Sequence, residues 1–335
     1  MSAYRHLFGP VPSRRLGRSL GVDLTPFKTC SFDCIFCQLG RTTNRTLVRD
    51  EYVPIGSVLK ELGEWLEQGG HADYITLAGS GEPTLNSRFG EVIDFVHAHS
   101  LIPVALLTNG TTLADPAVRS AAAKADLVKV SLSAWNTASL ERVNRPCQGI
   151  TLKGLVEGQW QFRHEFHGQL WLEAFLLLGI NSLPHEASHI AELVKVIGPD
   201  RVQLNTAVRP PAEAYVHPLP GEELAELARL FDPPAEVIAE FSPNGSADIR
   251  ATEEMVLSML RRRPCTATQI ADVFGLHANE VAKYVGKLLR TNRIRAEKRS
   301  GIMYYARLAP ESAESKWHVP KDTIGHDEQP DGANA

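Results

Sequence analysis

The sequence predicts an α/β fold, in which a partial (β/α)6 TIM-like barrel is followed by a small winged-helix domain. Between about residues 20 and 245, short β-rich apolar runs alternate with longer segments that carry apolar residues at helical spacing. This alternation is typical of a parallel sheet with helical crossovers. The chain has 335 residues, which is enough for one such domain and a smaller second one.

Each barrel element is predicted from its local pattern. The predicted strands are 21–24, 74–78, 104–108, 127–132, 170–178 and 202–205. The helical spacing predicts helices at 56–68, 87–99, 116–124, 152–164 and 184–197, several of which open with Pro or Ser in capping positions. Six strands are fewer than a closed eight-fold barrel requires. The Pro-rich stretch 206–220 is predicted to be a loop.

Chain breakers place a domain boundary near residues 245–251. Beyond them, helices are predicted at 253–262, 267–274 and 278–291, and a β-hairpin turns at Ser300 and Gly301. Three helices and a hairpin form the winged-helix pattern. We therefore predict a partial barrel over 1–248, a winged-helix domain over 249–308 and a disordered acidic tail over 309–335.

Composition indicates a soluble protein without naming a function. The hydrophobic content of 43% and the charged content of 22% are ordinary for a globular chain. No run reaches the roughly 18 apolar residues that a membrane span needs, and the first residues lack a signal-peptide pattern. We expect a cytoplasmic protein with no membrane partner. In that reducing compartment, clustered cysteines indicate a metal site rather than disulfides.

Three of the five cysteines form a C-x3-C-x2-C motif: Cys30, Cys34 and Cys37. The motif follows the first predicted strand, at the edge where a parallel barrel places its chemistry. Three thiolates can hold three irons of a cubane cluster, whereas electron-transfer clusters normally take four. The fourth iron then stays open to a ligand. A zinc site, or three neighbouring buried thiols, are the alternatives.

The spacing of these cysteines, with aromatic Phe36 before the last one, resembles the signature of the radical S-adenosylmethionine (SAM) superfamily. The resemblance implies that Cys30, Cys34 and Cys37 are metal ligands and catalytic residues, and that the cofactors are a [4Fe–4S] cluster and SAM. It also implies reductive cleavage of SAM to methionine and a 5′-deoxyadenosyl radical. An external one-electron reductant, such as flavodoxin or ferredoxin, is then implied as a partner.

A second motif follows the second strand and is similar to the superfamily's SAM-binding "GGEP" segment. Its residues are Gly79, Ser80, Gly81, Glu82 and Pro83, with Ser80 in place of a glycine. Glycines allow close backbone approach to an ammonium group, and Glu82 can supply a carboxylate. The resemblance adds Asn109 and Ser131, at the ends of the third and fourth strands, as further candidates for contact with SAM. The alternative for both is hydrogen bonding within a strand end.

Segments 8–21 and 37–42 resemble a group of radical SAM proteins placed beside the wyosine-type tRNA-modifying enzymes. Residues 1–29 contain no cysteine for the second cluster that those enzymes carry. Direct transfer of the wyosine reaction is therefore not expected. Arg14, Arg15 and Arg18 are candidates for binding an anionic substrate, and solvated cations at the bottom of the barrel are the equal alternative.

The C-terminal domain is the basic part of the chain. Residues 251–308 carry 11 Lys or Arg against 5 Asp or Glu, whereas the whole chain has a net charge of −4. Lys283, Lys287 and Arg290 recur on the presumed recognition helix, and Arg293, Arg295, Lys298 and Arg299 lie on the wing. This pattern favours contact with tRNA or another nucleic acid. A protein-docking module or a solvated face are the alternatives.

The sequence therefore predicts one of three alternative functions. The first is radical modification of RNA, most simply tRNA. The second is radical modification of a protein or a small metabolite, with the winged helix as a docking module. The third is a redox- or iron-sensing regulator, which the SAM-binding segment at residues 79–83 disfavours because a sensor does not need it.

Overall fold

A computed structural model of the chain describes residues 4–13, 15–238, 252–299 and 301–308. The predicted acidic tail at 309–335, the predicted boundary near 245–251 and Arg14 lie outside the described residues. Among the described residues, no helix combines the length and the apolar character needed to cross a membrane.

The N-terminal part alternates strands and helices as predicted. In chain order its first elements are β1 (Leu7–Ser13), β2 (Gly17–Val22), β3 (Thr29–Cys30), β4 (Asn44–Arg45), α1 (Ile55–Glu67), β5 (Tyr74–Leu77), α2 (Phe89–His99) and β6 (Val104–Leu107). The next are α3 (Pro116–Ala122), β7 (Leu127–Ser131), α4 (Thr137–Val143), α5 (Leu152–Glu165), β8 (Gln169–Phe175), α6 (Pro184–Ile197), β9 (Arg201–Asn205), α7 (Gly221–Ala228) and β10 (Glu236–Val237).

Eight of these strands form one mostly parallel sheet in the order β1-β2-β5-β6-β7-β8-β9-β10. Six successive strands from β2 to β9 pair in parallel, as the alternating pattern predicted. The helices bury an apolar stripe against the sheet; in α1 it consists of Ile55, Val58, Leu62 and Trp65. This 3.6-residue spacing is what identified the helix in the sequence.

The sheet curves around a central cavity. Ser19 on β2 and Asn205 on β9 line the same cavity although four strands lie between β2 and β9 in the sheet. Arg15, just before β2, also reaches Glu173 on β8. The bottom of this incomplete barrel is closed by an apolar layer built around Leu16, with Ala105, Leu127 and Trp171. The open end of the barrel is therefore the opposite one, at the carboxyl ends of the parallel strands.

Strand β1 was not predicted, and the first parallel strand begins earlier than predicted, at Gly17 rather than Gly21. Pro10 and Pro12 disfavour a strand in the sequence, because proline has no N–H to donate a hydrogen bond to a neighbouring strand. In the structure β1 pairs only with β2, antiparallel, at the edge of the sheet, with an irregularity between Phe8 and Val11. An edge strand tolerates proline because one side needs no partner.

The short elements β3, β4, β10, α4 and α7 were also missed. Strands of two residues leave no periodic pattern, and the two helices have 7 and 8 residues. Helix α4 did carry a local start signal: Asn136 accepts a hydrogen bond from the Ser139 N–H, while the Ser139 side chain accepts one from the Asn136 N–H. This reciprocal cap is a recognisable helix start.

The C-terminal part has its own core. Its elements are α8 (Glu253–Arg262), α9 (Ala267–Phe274), α10 (Ala278–Arg290), β11 (Ile294–Arg299) and β12 (Ile302–Arg307). The two strands pair antiparallel, and the helices bury a separate apolar cluster that includes Leu257, Ile270 and Leu288. The three helices and the hairpin lie where they were predicted.

This C-terminal unit packs against the barrel near the cysteine motif. The Arg307 guanidinium lies 4.3 Å from the centre of the Phe27 ring. Arg299 donates a hydrogen bond to the Pro211 carbonyl at 3.3 Å. Met259 and Arg263 of the α8 region line the central cavity of the barrel. The C-terminal unit is therefore a wall of that cavity.

Candidate active site at the carboxyl ends of the strands

The predicted site residues follow successive parallel strands at one edge of the sheet. The cysteine loop comes after β2, the Gly79–Pro83 segment after β5, Asn109 after β6, and Ser131 ends β7. Because parallel strands end at the same edge, these segments are brought together although they span a hundred residues. The structure therefore brings the predicted site residues to one edge of the sheet.

The cysteine loop is folded back on itself by backbone hydrogen bonds. Thr46 N–H donates to the Cys30 carbonyl at 3.0 Å, and Cys37 N–H donates to the Cys34 carbonyl at 3.1 Å. Asp33, which is buried, accepts hydrogen bonds from the Thr42 N–H at 2.6 Å and from the Arg41 guanidinium at 2.9 Å. The loop thus presents its thiols from a fixed backbone.

Each of the three thiols contacts a nitrogen donor from outside the motif. Lys28 Nζ lies 3.1 Å from Cys37 Sγ, and Asn144 Nδ2 lies 3.2 Å from Cys34 Sγ. Asn109 Nδ2 lies 3.6 Å from Cys30 Sγ and also donates to Ser31 Oγ at 2.9 Å. Hydrogen bonds of this kind to sulfur stabilise thiolates and tune the potential of a bound cluster.

The thiols of Cys30 and Cys34 are poor acids without a metal. Burial raises the pKa of Cys30 to about 12, with the Glu82 carboxylate adding to the effect. Burial also raises the pKa of Cys34, and the neighbouring Cys30 and Cys37 raise it further. Metal binding must therefore release their protons, which couples the loading of this site to pH.

The donor set fits a cluster better than a single ion. In the residues that the structure describes, no three His, Cys, Asp or Glu side chains are placed to share one metal ion. A zinc ion with Zn–S bonds of about 2.3 Å would draw its tetrahedral thiolates to about 3.8 Å from one another. In a cubane each thiolate binds a different iron and can lie farther away. Cys30, Cys34 and Cys37 would hold three irons of such a cluster.

The other two cysteines do not join this set. Cys265 is buried in the core of the C-terminal unit. Cys147 lies next to the loop, because its N–H donates to the Ser31 carbonyl at 2.8 Å, but its sulfur faces the Arg45 carbonyl at 3.9 Å. Neither Cys147 nor Cys265 is therefore a candidate for a fourth cluster ligand.

The Gly79–Pro83 segment packs directly on the cysteine loop. Ser80 accepts a hydrogen bond from the Lys28 N–H at 2.7 Å, and Glu82 N–H donates to the Thr29 carbonyl at 3.1 Å. A Cβ on Gly81 would lie 1.8 Å from the Thr29 carbonyl oxygen. The glycine is therefore required by the approach of two protein backbones. From the sequence, the glycine was expected instead to allow close contact with an ammonium group.

We expect Gly81→Ala to lower the free energy of unfolding by about 1–3 kcal/mol, because the added methyl group must displace the backbone under Cys30. Chemical denaturation measures the change. Gly56→Ala is the matched control, since a Cβ there meets nothing within 4 Å and alanine is the better helix former. Equal stability of Gly81→Ala and the native chain would contradict the packing described here.

Glu82 organises the loop after β6. It is 2% exposed, and its Oε1 accepts hydrogen bonds from the Thr84 and Thr108 hydroxyls, both at 2.6 Å. Its Oε2 accepts the Asn109 N–H at 2.7 Å. Burial raises the pKa of this carboxyl, and the hydrogen bonds oppose that effect. The contact with the Asn109 N–H holds Asn109 beside Cys30.

The central cavity has a volume of about 410 Å³ and opens beside the cysteine loop. This volume is within the range of small-molecule sites. Among the predicted contact residues, Phe36 and Gly79 line it, and the Phe36 ring stacks on Phe175 with centres 4.3 Å apart. The remaining predicted residues lie outside its lining: Ser80, Gly81, Glu82, Pro83, Asn109 and Ser131.

A charged layer lies inside the barrel, above the apolar bottom layer. Glu173 accepts hydrogen bonds from Arg15, from Lys129 Nζ at 2.6 Å and from Asn205 Nδ2 at 3.1 Å. Burial would raise the pKa of Glu173, but the two cations and the hydrogen bonds outweigh it and hold the pKa well below its ordinary value. Arg18 instead pairs with Asp73 at the opposite end of the strands. The structure thus separates the arginines that the sequence grouped.

Lys28, Lys129 and Asn144 are site residues that the sequence analysis missed. Lys28 precedes the motif by two residues but has a positive φ of 60°, and no sequence pattern indicated that its side chain returns to Cys37. Asn144 is 110 positions from Cys34. Only the chain topology brings these contacts together. The polar Lys129 within an apolar strand was the one available signal.

We expect Asn144→Ala to lower the reduction potential of the loaded cluster on the order of 60 mV, a tenfold change in the one-electron equilibrium. The reason is the loss of a hydrogen bond that stabilises the more negative reduced state. Potentiometric titration with electron paramagnetic resonance detection measures it. Asn279→Ala, at an exposed position on α10, serves as control. An unchanged potential in Asn144→Ala would show that this amide does not contact the ligated sulfur.

Several of the cations predicted to contact nucleic acid form ion pairs within the C-terminal unit. Lys287 pairs with Glu253 at 2.6 Å, and Arg293 pairs with Glu254 at 2.9 Å. Arg295 and Arg299 both pair with Glu297. Among the described residues, the exposed Lys283, Arg290 and Lys298 have no acidic partner. The basic face is therefore smaller than the charge count suggested.

Comparison with known proteins assigns the family. Residues 24–158 match the family described as the radical SAM superfamily. A UPF0026 protein of Synechocystis sp. is 37% identical over 205 residues, which cover 61% of this chain and 76% of that protein. A protein of Brachyspira hyodysenteriae called "GTPase Obg" is 36% identical over 306 residues, or 90% of this chain. The match spans only 45% of that relative's length.

Among solved structures, one titled "Structure of TYW1 with a lysine-pyruvate adduct bound" matches with a TM-score of 0.47 and 16% identity. The match covers 65% of this chain and 74% of that chain. The matched segment 24–158 contains the three clustered cysteines and the Gly79–Pro83 loop. The chain therefore belongs to the UPF0026 family within the radical SAM superfamily and carries the domain of a radical SAM enzyme.

Proposed function

We propose that this protein uses a [4Fe–4S] cluster on Cys30, Cys34 and Cys37 to cleave SAM and to modify a small substrate by radical chemistry. When bound, the cluster supplies the electron that splits SAM into methionine and a 5′-deoxyadenosyl radical, which takes a hydrogen atom from the substrate. One observation carries the proposal: Cys37 of the cysteine motif lines a cavity that α8 helps to enclose.

The chain's own residues provide the setting. Lys28, Asn109 and Asn144 donate toward the sulfurs. The stacked Phe36 and Phe175 rings form an apolar wall beside Cys37. A wall of this kind excludes water, which protects a reactive radical from side reactions.

The electron needs an external source. Three clustered cysteines account for one cluster; Cys265 is buried in the core of the C-terminal unit, and the Cys147 sulfur faces the Arg45 carbonyl. We therefore propose a one-electron reductant of the flavodoxin or ferredoxin type as partner. Anaerobic reconstitution with either protein, followed by quantification of 5′-deoxyadenosine, tests this step. Formation of the nucleoside with dithionite but with neither protein would remove both classes as partners.

RNA, and tRNA in particular, is the second candidate substrate. The exposed cations Lys283, Arg290 and Lys298 support this candidate because clustered cations on a small domain can bind a phosphate backbone. The interpretation of the three helices and the hairpin as a winged-helix domain supports it as well. Loss of one modified nucleoside from total tRNA in a deletion strain, with restoration by the native gene, would favour RNA. An unchanged nucleoside profile, with SAM cleavage that bulk RNA does not stimulate, favours a small substrate in the enclosed cavity.

A further inference from the structure

The cavity beside the cysteine loop has an excess of positive charge. Its lining includes four cationic side chains, Arg15, Lys129, Arg209 and Arg263, and the single carboxylate of Glu173. Inside the barrel, Glu173 binds both Arg15 and Lys129, so this trio keeps one positive charge. Burying a net charge away from water is costly unless a counter-charge arrives. The cavity is therefore built to take up an anion.

Two observations show where cationic groups remain available. Arg15 Nε is buried and has no hydrogen-bond partner among the described residues, although the same guanidinium binds Glu173. Arg263 extends from the end of α8, and among the described residues it has no acidic partner. The Arg263 guanidinium contacts the Met259 sulfur at 3.7 Å. A guanidinium offers five donors in a plane, and these two arginines use few of them.

The rest of the lining limits the size and nature of the ligand. Apolar side chains, among them Phe8, Leu39 and Leu107, line the cavity between these cations. A volume of about 410 Å³ admits a small molecule and excludes a folded macromolecule. The ligand should thus combine an anionic group with an apolar or neutral body.

We infer that this cavity binds a small organic anion, a carboxylate or a phosphate monoester, through Arg263 of the C-terminal unit and the Arg15–Lys129 pair of the barrel. The inference rests on the proposed function, because it names the substrate class of the same site. It also gives the C-terminal unit a role: through Arg263 it completes the substrate site. Carboxylate and phosphate share the recognition by arginine, so the probe that binds more tightly identifies the group.

Isothermal titration of the full-length, cluster-loaded protein tests the inference. The probes are inorganic phosphate and succinate, with sodium chloride at equal ionic strength as reference. We expect one probe to bind, Arg263→Gln to weaken its binding about tenfold, and Arg263→Lys to restore part of the loss. Arg261→Gln, a charge change at an exposed position of α8 in the same unit, should leave binding unchanged.

Three outcomes would overturn the inference. The first is that neither probe binds more tightly than chloride, and the second is equal binding by the native chain and Arg263→Gln. The third is competition of the bound probe with SAM, which would assign the cations to the cofactor carboxylate. Assaying 5′-deoxyadenosine on the same samples separates the two proposals. Anion binding without SAM cleavage would refute only the proposed function, and cleavage without anion binding would refute only the anion site.

Discussion

We expect Cys34→Ala to abolish cluster assembly and to remove formation of 5′-deoxyadenosine entirely. Cys34 is the middle ligand of the three along the chain, and its sulfur lies 3.2 Å from the Asn144 amide nitrogen. With two thiolates left, no site on the described residues can hold three irons. The variants Cys30→Ala and Cys37→Ala should behave in the same way. Iron and sulfide analysis after anaerobic reconstitution, together with visible absorption near the cluster bands, measures the loss.

The matched controls are the two other cysteines. Cys147→Ala removes a thiol that lies beside the loop but faces the Arg45 carbonyl, and it should assemble the cluster normally. Cys265→Ala should do so too, although its stability should fall because the residue is buried in the C-terminal core. A cluster that survives in Cys34→Ala and is lost in Cys147→Ala would show that the ligand set has been assigned wrongly.

The second large effect is expected from Glu173→Gln. This change removes the counter-charge of Arg15 and Lys129 inside the barrel. Breaking a buried ion pair by removing one partner costs about 3–5 kcal/mol, because the remaining charge is buried without compensation. Equilibrium unfolding in urea at neutral pH should show a loss of this size. Glu64→Gln, which breaks an exposed pair with Lys60, should cost less than about 1 kcal/mol.

The interaction of Glu173 with Arg15 and Lys129 also predicts how the free energy of unfolding depends on pH. The pKa of Glu173 is lowered in the folded protein, because Arg15 and Lys129 outweigh the effect of burial. A carboxyl with a lowered folded pKa stabilises the fold above its unfolded pKa of about 4.3, and this contribution is lost as the pH falls toward the folded value. The stability difference between the native chain and Glu173→Gln should therefore be largest at neutral pH and shrink below about pH 4. A difference that grows on acidification would contradict the ion pair.

The alternation of elements and the position of the cluster loop could be predicted from the sequence for a physical reason. Strands such as Leu127–Ser131 and helices such as Ile55–Glu67 are buried in a regular pattern that leaves a period in the sequence. The carboxyl ends of parallel strands then lie at one edge regardless of details. Cys30, Gly79 and Asn109 could be placed together for that reason alone.

The contacts around the site could not be predicted, because they depend on tertiary structure. The Lys28–Cys37 and Asn144–Cys34 contacts join residues whose spacing carries no signal. Gly81 and Glu82 were expected to contact SAM, and in the structure they pack against Thr29 and Asn109. Four of the seven predicted nucleic-acid-binding cations pair with Glu253, Glu254 or Glu297 instead of facing solvent alone. A charge count along the chain does not show such pairing.

The most direct test of the account is a single anaerobic measurement on the full-length protein after reconstitution with iron and sulfide. Metal analysis, electron paramagnetic resonance of the dithionite-reduced sample and quantification of 5′-deoxyadenosine are made on one preparation with SAM. We predict about four irons per chain, a cubane signal that changes when SAM is added, and release of 5′-deoxyadenosine. Bound zinc in place of iron, or a reducible cubane that never yields the adenosyl product, would contradict the account.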